Sequence, residues 1–201
     1  MNRKNILVIG IIAALVAFFI PQGTALAAQT GAIVLPKPET DGGKPLMQAL
    51  SLRKAERSFS DRELPLQELA NLLWATWGVN RPDGRRTAPT AMNRQEVAVY
   101  LVLKSGVWLY DGLKNTLEPA LEGDFREKFG GWPVTLVFAA PEADRAAGMH
   151  LGSLYQNAGL YCASAGLSNV VKTTGADALK GLLSLPTGYK VFVVQSLGYP
   201  Q

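Results

Sequence analysis

The chain has 201 residues, enough for one domain beyond a leader, and 48% of them are hydrophobic against 18% charged, which excludes a disordered protein. The formal charge is +4, but setting Arg3 and Lys4 aside leaves 18 basic against 16 acidic residues, and no basic run carries interleaved aromatics, so nucleic acid is not an expected partner. The single cysteine, Cys162, excludes an internal disulfide and a cysteine-based metal cluster.

Residues 1–27 read as an export signal. Arg3 and Lys4 form the charged start, Ile6–Ile20 is apolar apart from Gly10, Pro21 breaks it, and Ala25-Leu26-Ala27 has a small-x-small cleavage pattern. The expected location is therefore outside the cytoplasm, in the periplasm. The alternative is an uncleaved N-terminal membrane anchor, although the apolar run is shorter than the ~18–20 residues of a spanning helix. Arg3-Lys4-Asn5-Ile6-Leu7 is a distant relative of a twin-arginine signal, with lysine for the second arginine.

Residues 28–44 are rich in Pro, Gly and Thr and read as a linker or extended arm, and the folded domain is expected over 45–201. Leu46, Met47 and Leu50 mark a short amphipathic helix entering Leu52–Phe59. A helical turn there would put Arg53 and Arg57, at i and i+4, on one face, where two guanidinium forks suit a phosphate. The same spacing also fits a solvated helix end with surface charges. Leu64–Trp77 is the clearest helix. Pro65 suits its first turn, Leu66, Leu69, Leu73 and Trp77 recur at helical spacing, and Gly78 is its expected stop.

Arg85–Gln95 is a polar loop that Pro89 breaks, running straight into the apolar stretch Val97–Leu103. Thr90, Asn93 and Gln95 offer hydroxyl and amide groups beside a rigid strand, a natural place to hold a flat polar ligand. The stretch also fits an ordinary connection built of turn-forming residues. Val97–Leu103 and Val107–Tyr110 read as a hairpin across Lys104-Ser105-Gly106. Leu113–Lys128 reads as helix broken at Pro119, and Pro133–Ala139 as a third strand. Ala146–Ala165 reads as a long helix with Met149, Leu154, Ala158, Tyr161 and Ala165 on one stripe and Gly166 as its stop. Ala176–Leu183 reads as a short helix and Lys190–Leu197 as the last strand. Helices and strands mix without β-α-β alternation, so the expected class is α+β.

His150 and Cys162 are the only residues of their kinds and lie twelve positions apart on one predicted helix, about 18 Å along its axis, too far for a nucleophile–base pair. No metal cluster, GxSxG, P-loop or GxGxxG is present. If the chain is an enzyme, a cofactor is expected to supply the reactive atom.

Arg53…Arg57, Pro89-Thr-Ala-Met-Asn93-Arg-Gln95, Gln156-Asn157…Ala165-Gly166-Leu167 and the closing Gly198-Tyr-Pro200, taken in order, resemble the FMN-dependent nitroreductase superfamily. Leu72-Leu-Trp-Ala-Thr-Trp-Gly78…Arg86-Thr-Ala-Pro-Thr is more similar to its thiazole/oxazole-forming (SagB-type) dehydrogenase branch. The resemblance runs from about Leu46 to the C-terminus. It implies an α+β fold with a central, mostly antiparallel sheet flanked by helices, and an intertwined homodimer with FMN at the subunit interface. By position, Arg53 would hold the FMN phosphate, Arg57 would lie by the flavin pyrimidine edge, and Pro89, Thr90 and Asn93 would contact the flavin from the partner subunit. Lys128 is a further candidate for the pyrimidine carbonyl, and a backbone amide near Thr173 would face flavin N5.

The activity so implied is an exported oxidoreductase that passes hydride or electrons through flavin N5 in a ping-pong cycle, with no catalytic side chain and no metal. Its partners would be a second copy, a small-molecule substrate and an electron donor. The alternative is a non-catalytic flavin-binding or structural dimer of the same fold. Two departures favour the alternative: Ala55 stands where the family commonly has serine, and no basic residue follows Gly-Tyr-Pro before Gln201.

Overall fold

The computed structural model describes residues 31–201, and the expected signal and its cleavage site lie outside the described residues. In chain order the elements are β1 (Ile33–Val34), α1 (Leu46–Leu52), α2 (Leu66–Trp77), β2 (Ala98–Leu103), β3 (Gly106–Asp111), β4 (Thr116–Glu122), β5 (Val134–Pro141), α3 (Ala147–Ala165), β6 (Ser168–Lys172) and β7 (Tyr189–Gly198), with 3-10 turns at Ala91–Asn93 and Arg126–Phe129. The strands form one sheet in the order β1-β4-β3-β2-β5-β7-β6, and every pairing is antiparallel. This is the α+β architecture expected from the sequence.

β2 and β5 occupy the middle of the sheet and are buried on both faces, which is why both read as continuous apolar runs instead of alternating ones. One face is covered by the helices. α3 packs on the sheet with α1 and α2 against it, and Leu72, Leu73, Leu101, Phe138, Leu151 and Leu154 form the centre of that core. The opposite face is closed by the 3-10 turn Arg126–Phe129 and a run of turns, through Phe129, Leu179 and Leu183 over Tyr100, Val102, Val137 and Val194. The arm ahead of α1 lies on the same domain. Ile33 and Leu35 are buried, β1 pairs with β4, and Lys44 Nζ donates to the Ser164 carbonyl at 2.9 Å.

Five expectations are corrected. Leu113–Lys128 is not a broken helix but strand β4 followed by a 3-10 turn. Pro119 is tolerated because β1 pairs only with Thr116 and Leu117, which leaves Pro119 on an open edge opposite a register shift in β3. Ala176–Leu183 is a run of turns, and Leu179 and Leu183 are buried without helical support. Met149 points away from the core at 70% exposure, while His150 takes the inward position. The first helix stops at Leu52 and does not carry Arg53 and Arg57. Gly78 ends α2 with φ −72°, so it does not supply a left-handed turn. Its Cβ would sit 2.6 Å from Trp74 Cα and against the Trp74 ring, so the position needs glycine for space. Gly166, by contrast, closes α3 at φ 76°, the left-handed stop expected of it.

Candidate functional site

Arg53 ends α1 in an extended conformation, its N–H bonded back to the Ala49 carbonyl at 2.9 Å. The chain then leaves the helix and runs past β6 and the end of β7, held by Glu56 N donating to Asn169 O at 2.8 Å and Ser60 N to Tyr199 O at 2.9 Å. Arg53 and Arg57 are therefore four residues apart on non-helical chain and not on the single helical turn expected. Both side chains are exposed, and among the described residues neither guanidinium takes a hydrogen bond or an ion pair. The Arg53 stem lies over Gly159 of α3, where a Cβ would approach its Cδ to 3.9 Å and Asn169 Oδ1 to 3.5 Å. Below it, Gln195 is fully buried. Its Nε2 donates to Asn169 Oδ1 at 3.0 Å and to Tyr155 O at 3.2 Å, while its Oε1 has no protein partner.

Glu56 stands between the two arginines. It pairs with Lys54 at 2.5 Å and accepts a hydrogen bond from Ser168 Oγ, and these two contacts hold its carboxyl below the usual carboxylate range. Arg57 lines an open cleft of about 350 Å³ with Glu56, Ser58, Pro200 and Gln201.

Lys128 and Thr173 lie together elsewhere. Lys128 is exposed on the 3-10 turn Arg126–Phe129, and Thr173 directly follows β6. The two segments are tied by Lys172 Nζ donating to the Phe129 carbonyl at 3.0 Å, and burial lowers the Lys172 pKa.

The loop bearing Pro89, Thr90 and Asn93 is anchored separately. Pro89 and Asn93 are exposed beside buried Ala88. Thr90 Oγ1 accepts from Gln95 N at 3.1 Å, and Asn93 Oδ1 accepts from Gln95 Nε2 at 3.1 Å. Asn157 Nδ2 of α3 contacts the Thr87 carbonyl at 3.4 Å. Sequence reasoning missed the anchor at the other end of the loop, where His150 Nε2 accepts from Ala91 N at 2.9 Å. That partner is a backbone amide 59 residues away, so no spacing rule reveals it. It also missed Gln195, which reads as one polar residue in an apolar strand.

The seven candidate residues thus fall into three groups on one chain. Arg53 and Arg57 lie near the start of β6, and Lys128 and Thr173 lie near its end. The loop lies farther along α3, whose residues 150 and 159 are about 13 Å apart along the axis. Cys162 is fully buried and burial pushes its thiol up, so it is no nucleophile. Among the described residues no group of His, Cys, Asp and Glu is arranged to hold a metal ion. What the surface offers is unpaired cations, amides and a glycine floor. That donor set fits a flat anionic cofactor better than hydrolytic chemistry.

An antiparallel α+β sheet with helices on one face and an open cationic edge is the class these observations define. Residues 50–199 match the profile of the nitroreductase family, and the chain belongs to that family. A protein from Ralstonia eutropha JMP134 assigned to the nitroreductases is 34% identical, with 85% of this chain and 90% of that one aligned at a TM-score of 0.75. The E. coli microcin synthetase McbBCD complex shares the fold at 21% identity, over 74% of this chain and 70% of that one, with a TM-score of 0.61. A nitroreductase with bound FMN from Bacteroides fragilis NCTC 9343 shares it at 15% identity, over 79% and 89%, with a TM-score of 0.56. No curated protein matches.

Proposed function

We propose that the chain is an exported FMN-dependent oxidoreductase working as a homodimer. The observation that carries this reading is the pair of unpaired guanidiniums, Arg53 and Arg57, laid along β6 with Gly159 and Asn169 beneath the first of them. Arg53 binds the phosphate, and its stem is placed by the absence of a side chain at Gly159. Arg57 lies by the pyrimidine edge, where a cation stabilises an anionic reduced ring and so favours hydride acceptance. The flavin supplies the redox chemistry when bound, in a ping-pong cycle between a donor and an acceptor. Pro89, Thr90 and Asn93 reach the flavin of the other subunit. Lys128 and the backbone near Thr173 complete the rim.

A second copy is supported by exposed apolar side chains on and near α1 and α3. Leu46, Met47, Leu50 and Leu52 of α1 are 43–76% exposed, and Met92 and Met149 are 87% and 70% exposed. The leader supports an exported, periplasmic protein. No described helix is long and apolar enough to cross a membrane.

Ala55 and Glu56 favour a second reading, a flavin-binding or structural dimer without turnover. Ala55 withholds a hydroxyl from the phosphate, and Glu56 sets a carboxylate beside it. Natively purified protein separates the two. A flavin absorbance band that is bleached anaerobically by a quinol or other donor and returns with an acceptor supports the oxidoreductase. Protein that binds FMN without turnover supports the second reading. Colourless protein that takes up no added FMN overturns the cofactor assignment.

A further inference from the structure

The loop that bears Thr90 and Asn93 is held in an unfavourable backbone. Met92, Asn93 and Gln95 have φ of 53°, 53° and 55°, three left-handed residues among four, and none of them is glycine. Such conformations persist only where surrounding contacts over-determine them. Thr90 Oγ1 and the Arg86–Gln95 contact act from within or beside the loop. Two contacts reach it from the α3 side. His150 Nε2 accepts from Ala91 N at 2.9 Å, and Asp144 Oδ1 accepts from Arg94 Nη2 at 2.8 Å.

These two contacts are joined. A backbone amide only donates, so His150 Nε2 carries the lone pair and the imidazole proton belongs to Nδ1. Nδ1 lies 3.3 Å from Asp144 Oδ2, a polar approach outside hydrogen-bond geometry, and this buried oxygen has no other partner among the described residues. Asp144 is itself fixed by the Ala146 N–H at 2.9 Å, at the start of α3. Two hydrogen bonds thus hold the loop, Ala91 to His150 and Arg94 to Asp144, and the two acceptors stand against each other at 3.3 Å. His150 is 4% exposed and the Asp144 side chain 6%. The charged groups facing the ring are Asp144, from the turn ahead of α3, and Arg94, from the loop, with Glu96 3.7 Å from Arg94 Nε.

We propose that His150 is a positioning residue: oriented by Asp144, its neutral ring holds the Ala91 amide and fixes the strained Thr90–Gln95 turn in the shape that presents Thr90 and Asn93 to the cofactor. The consequence for the cofactor rests on the reading of the loop given above. The anchoring does not.

Hydrogen exchange of the full-length protein tests the anchoring directly. In His150→Phe, which keeps the ring volume and removes the acceptor, the peptide spanning residues 88–96 exchanges about tenfold faster, the loss of one buried hydrogen bond, while the β5 and β7 peptides stay as in wild type. In His150→Gln, whose Oε1 stands near the Nε2 position, the loop keeps wild-type exchange within about threefold. FMN titration by flavin fluorescence follows the same order, with Kd raised about tenfold in the Phe variant and little changed in the Gln variant. Loop exchange in the Phe variant equal to wild type overturns the proposal, and so does a Gln variant as fast as Phe. Should the Phe variant not fold, His150→Asn replaces it, because its amide reproduces only the Asp144 side of the ring. Wild-type protein that takes up no FMN refutes the cofactor reading, and the exchange data still decide the anchoring.

Discussion

Arg86 Nε donates to Gln95 Oε1 at 2.8 Å, so the two ends of the Arg85–Gln95 loop are clasped by a single side-chain pair. The same guanidinium donates through Nη1 to the Trp77 carbonyl at 2.8 Å and stacks 4.7 Å over the Trp77 ring. It makes no ion pair within 4 Å among the described residues. Burial pulls its pKa down, and the neighbouring Tyr110 and Asp111 pull it up. A half-buried guanidinium that depends on neutral acceptors is sensitive to truncation, because its removal leaves the Trp77 carbonyl and the Gln95 amide short of a partner.

Arg86→Met should lower unfolding free energy by about 2–3 kcal/mol, two lost charge-assisted hydrogen bonds and one cation–π contact. Arg86→Lys should recover only part, since an ammonium cannot span both acceptors. Gly112 leaves the room for this fork, as a Cβ there would stand 2.5 Å from Arg86 Nη1. Gly112→Ala should therefore destabilise in the same direction. Urea denaturation reads all three, and an Arg86→Met curve that overlays wild type would remove the clasp from the account.

Two helix-ending glycines should respond differently to alanine. At Gly166 the backbone is left-handed, φ 76°, with nothing within 4 Å of an added Cβ, so Gly166→Ala costs about 1 kcal/mol of backbone preference alone. At Gly78 the backbone is ordinary but the methyl meets Trp74, so Gly78→Ala costs about 2–3 kcal/mol of overpacking. Chemical denaturation of both variants ranks them, and a reversed order would mean that the end of α2 shifts to make room for the methyl.

The same distinction explains what was legible in the sequence. α2 and the paired runs of β2 and β5 could be read directly, because burial writes its period into the side chains: one stripe for a helix on a sheet, an unbroken run for a strand covered on both faces. β4 reads as a broken helix because Pro119 is forbidden only in an interior strand, and nothing local says that β1 stops two residues short of it. Leu179 and Leu183 have helical spacing yet belong to turns, since spacing reports burial and not hydrogen bonding. The helix assignment for Arg53 and Arg57 failed at Leu52 for a tertiary reason: the chain leaves α1 to bond with Asn169 and Tyr199, both more than a hundred residues away. The loop and the arginines could be picked out as candidates from residue type and order. The buried residues that lie behind them, His150, Asp144 and Gln195, could not.

Alkaline pH provides a further test of the core. Burial pushes the Tyr110 phenol up to about 12, with Arg86 opposing and Asp111 adding to the rise. The unfolded chain loses this proton near pH 10, so the neutral buried phenol contributes stability that is whole below about pH 10 and is lost as the pH rises towards 12. Tyr100, Tyr161 and Tyr189 are shifted upward too, chiefly by burial, so one replacement blunts the transition without abolishing it. Tyr110→Phe should match wild type within about 1 kcal/mol at neutral pH and lose stability less steeply between about pH 10 and 12. Parallel slopes for the two proteins in thermal melts across that window would show that Tyr110 is not held neutral.

Arg53 and Arg57 should separate by the property each controls. Arg53 has its stem fixed over Gly159 and its head free, the arrangement of a group that grips a dianion, so Arg53→Ala should weaken FMN binding by about 1.5–3 kcal/mol with little change in flavin potential. Arg57 lines an open cleft with Glu56, and in the proposed place beside the pyrimidine edge it would act mainly on the charge that develops on reduction. Arg57→Ala should lower the flavin potential and spare most of the affinity. Isothermal titration with FMN and a potentiometric titration of the loaded protein give the two numbers for each variant. Unchanged affinity in Arg53→Ala would take that residue out of the phosphate site, and an unshifted potential in Arg57→Ala would take the second away from the pyrimidine edge. In the proposed site Glu56 would set a negative charge near the phosphate, so Glu56→Gln should raise FMN affinity, at the cost of its contacts to Lys54 and Ser168. A fall in affinity would mean that the carboxylate holds the segment in shape rather than opposing the ligand.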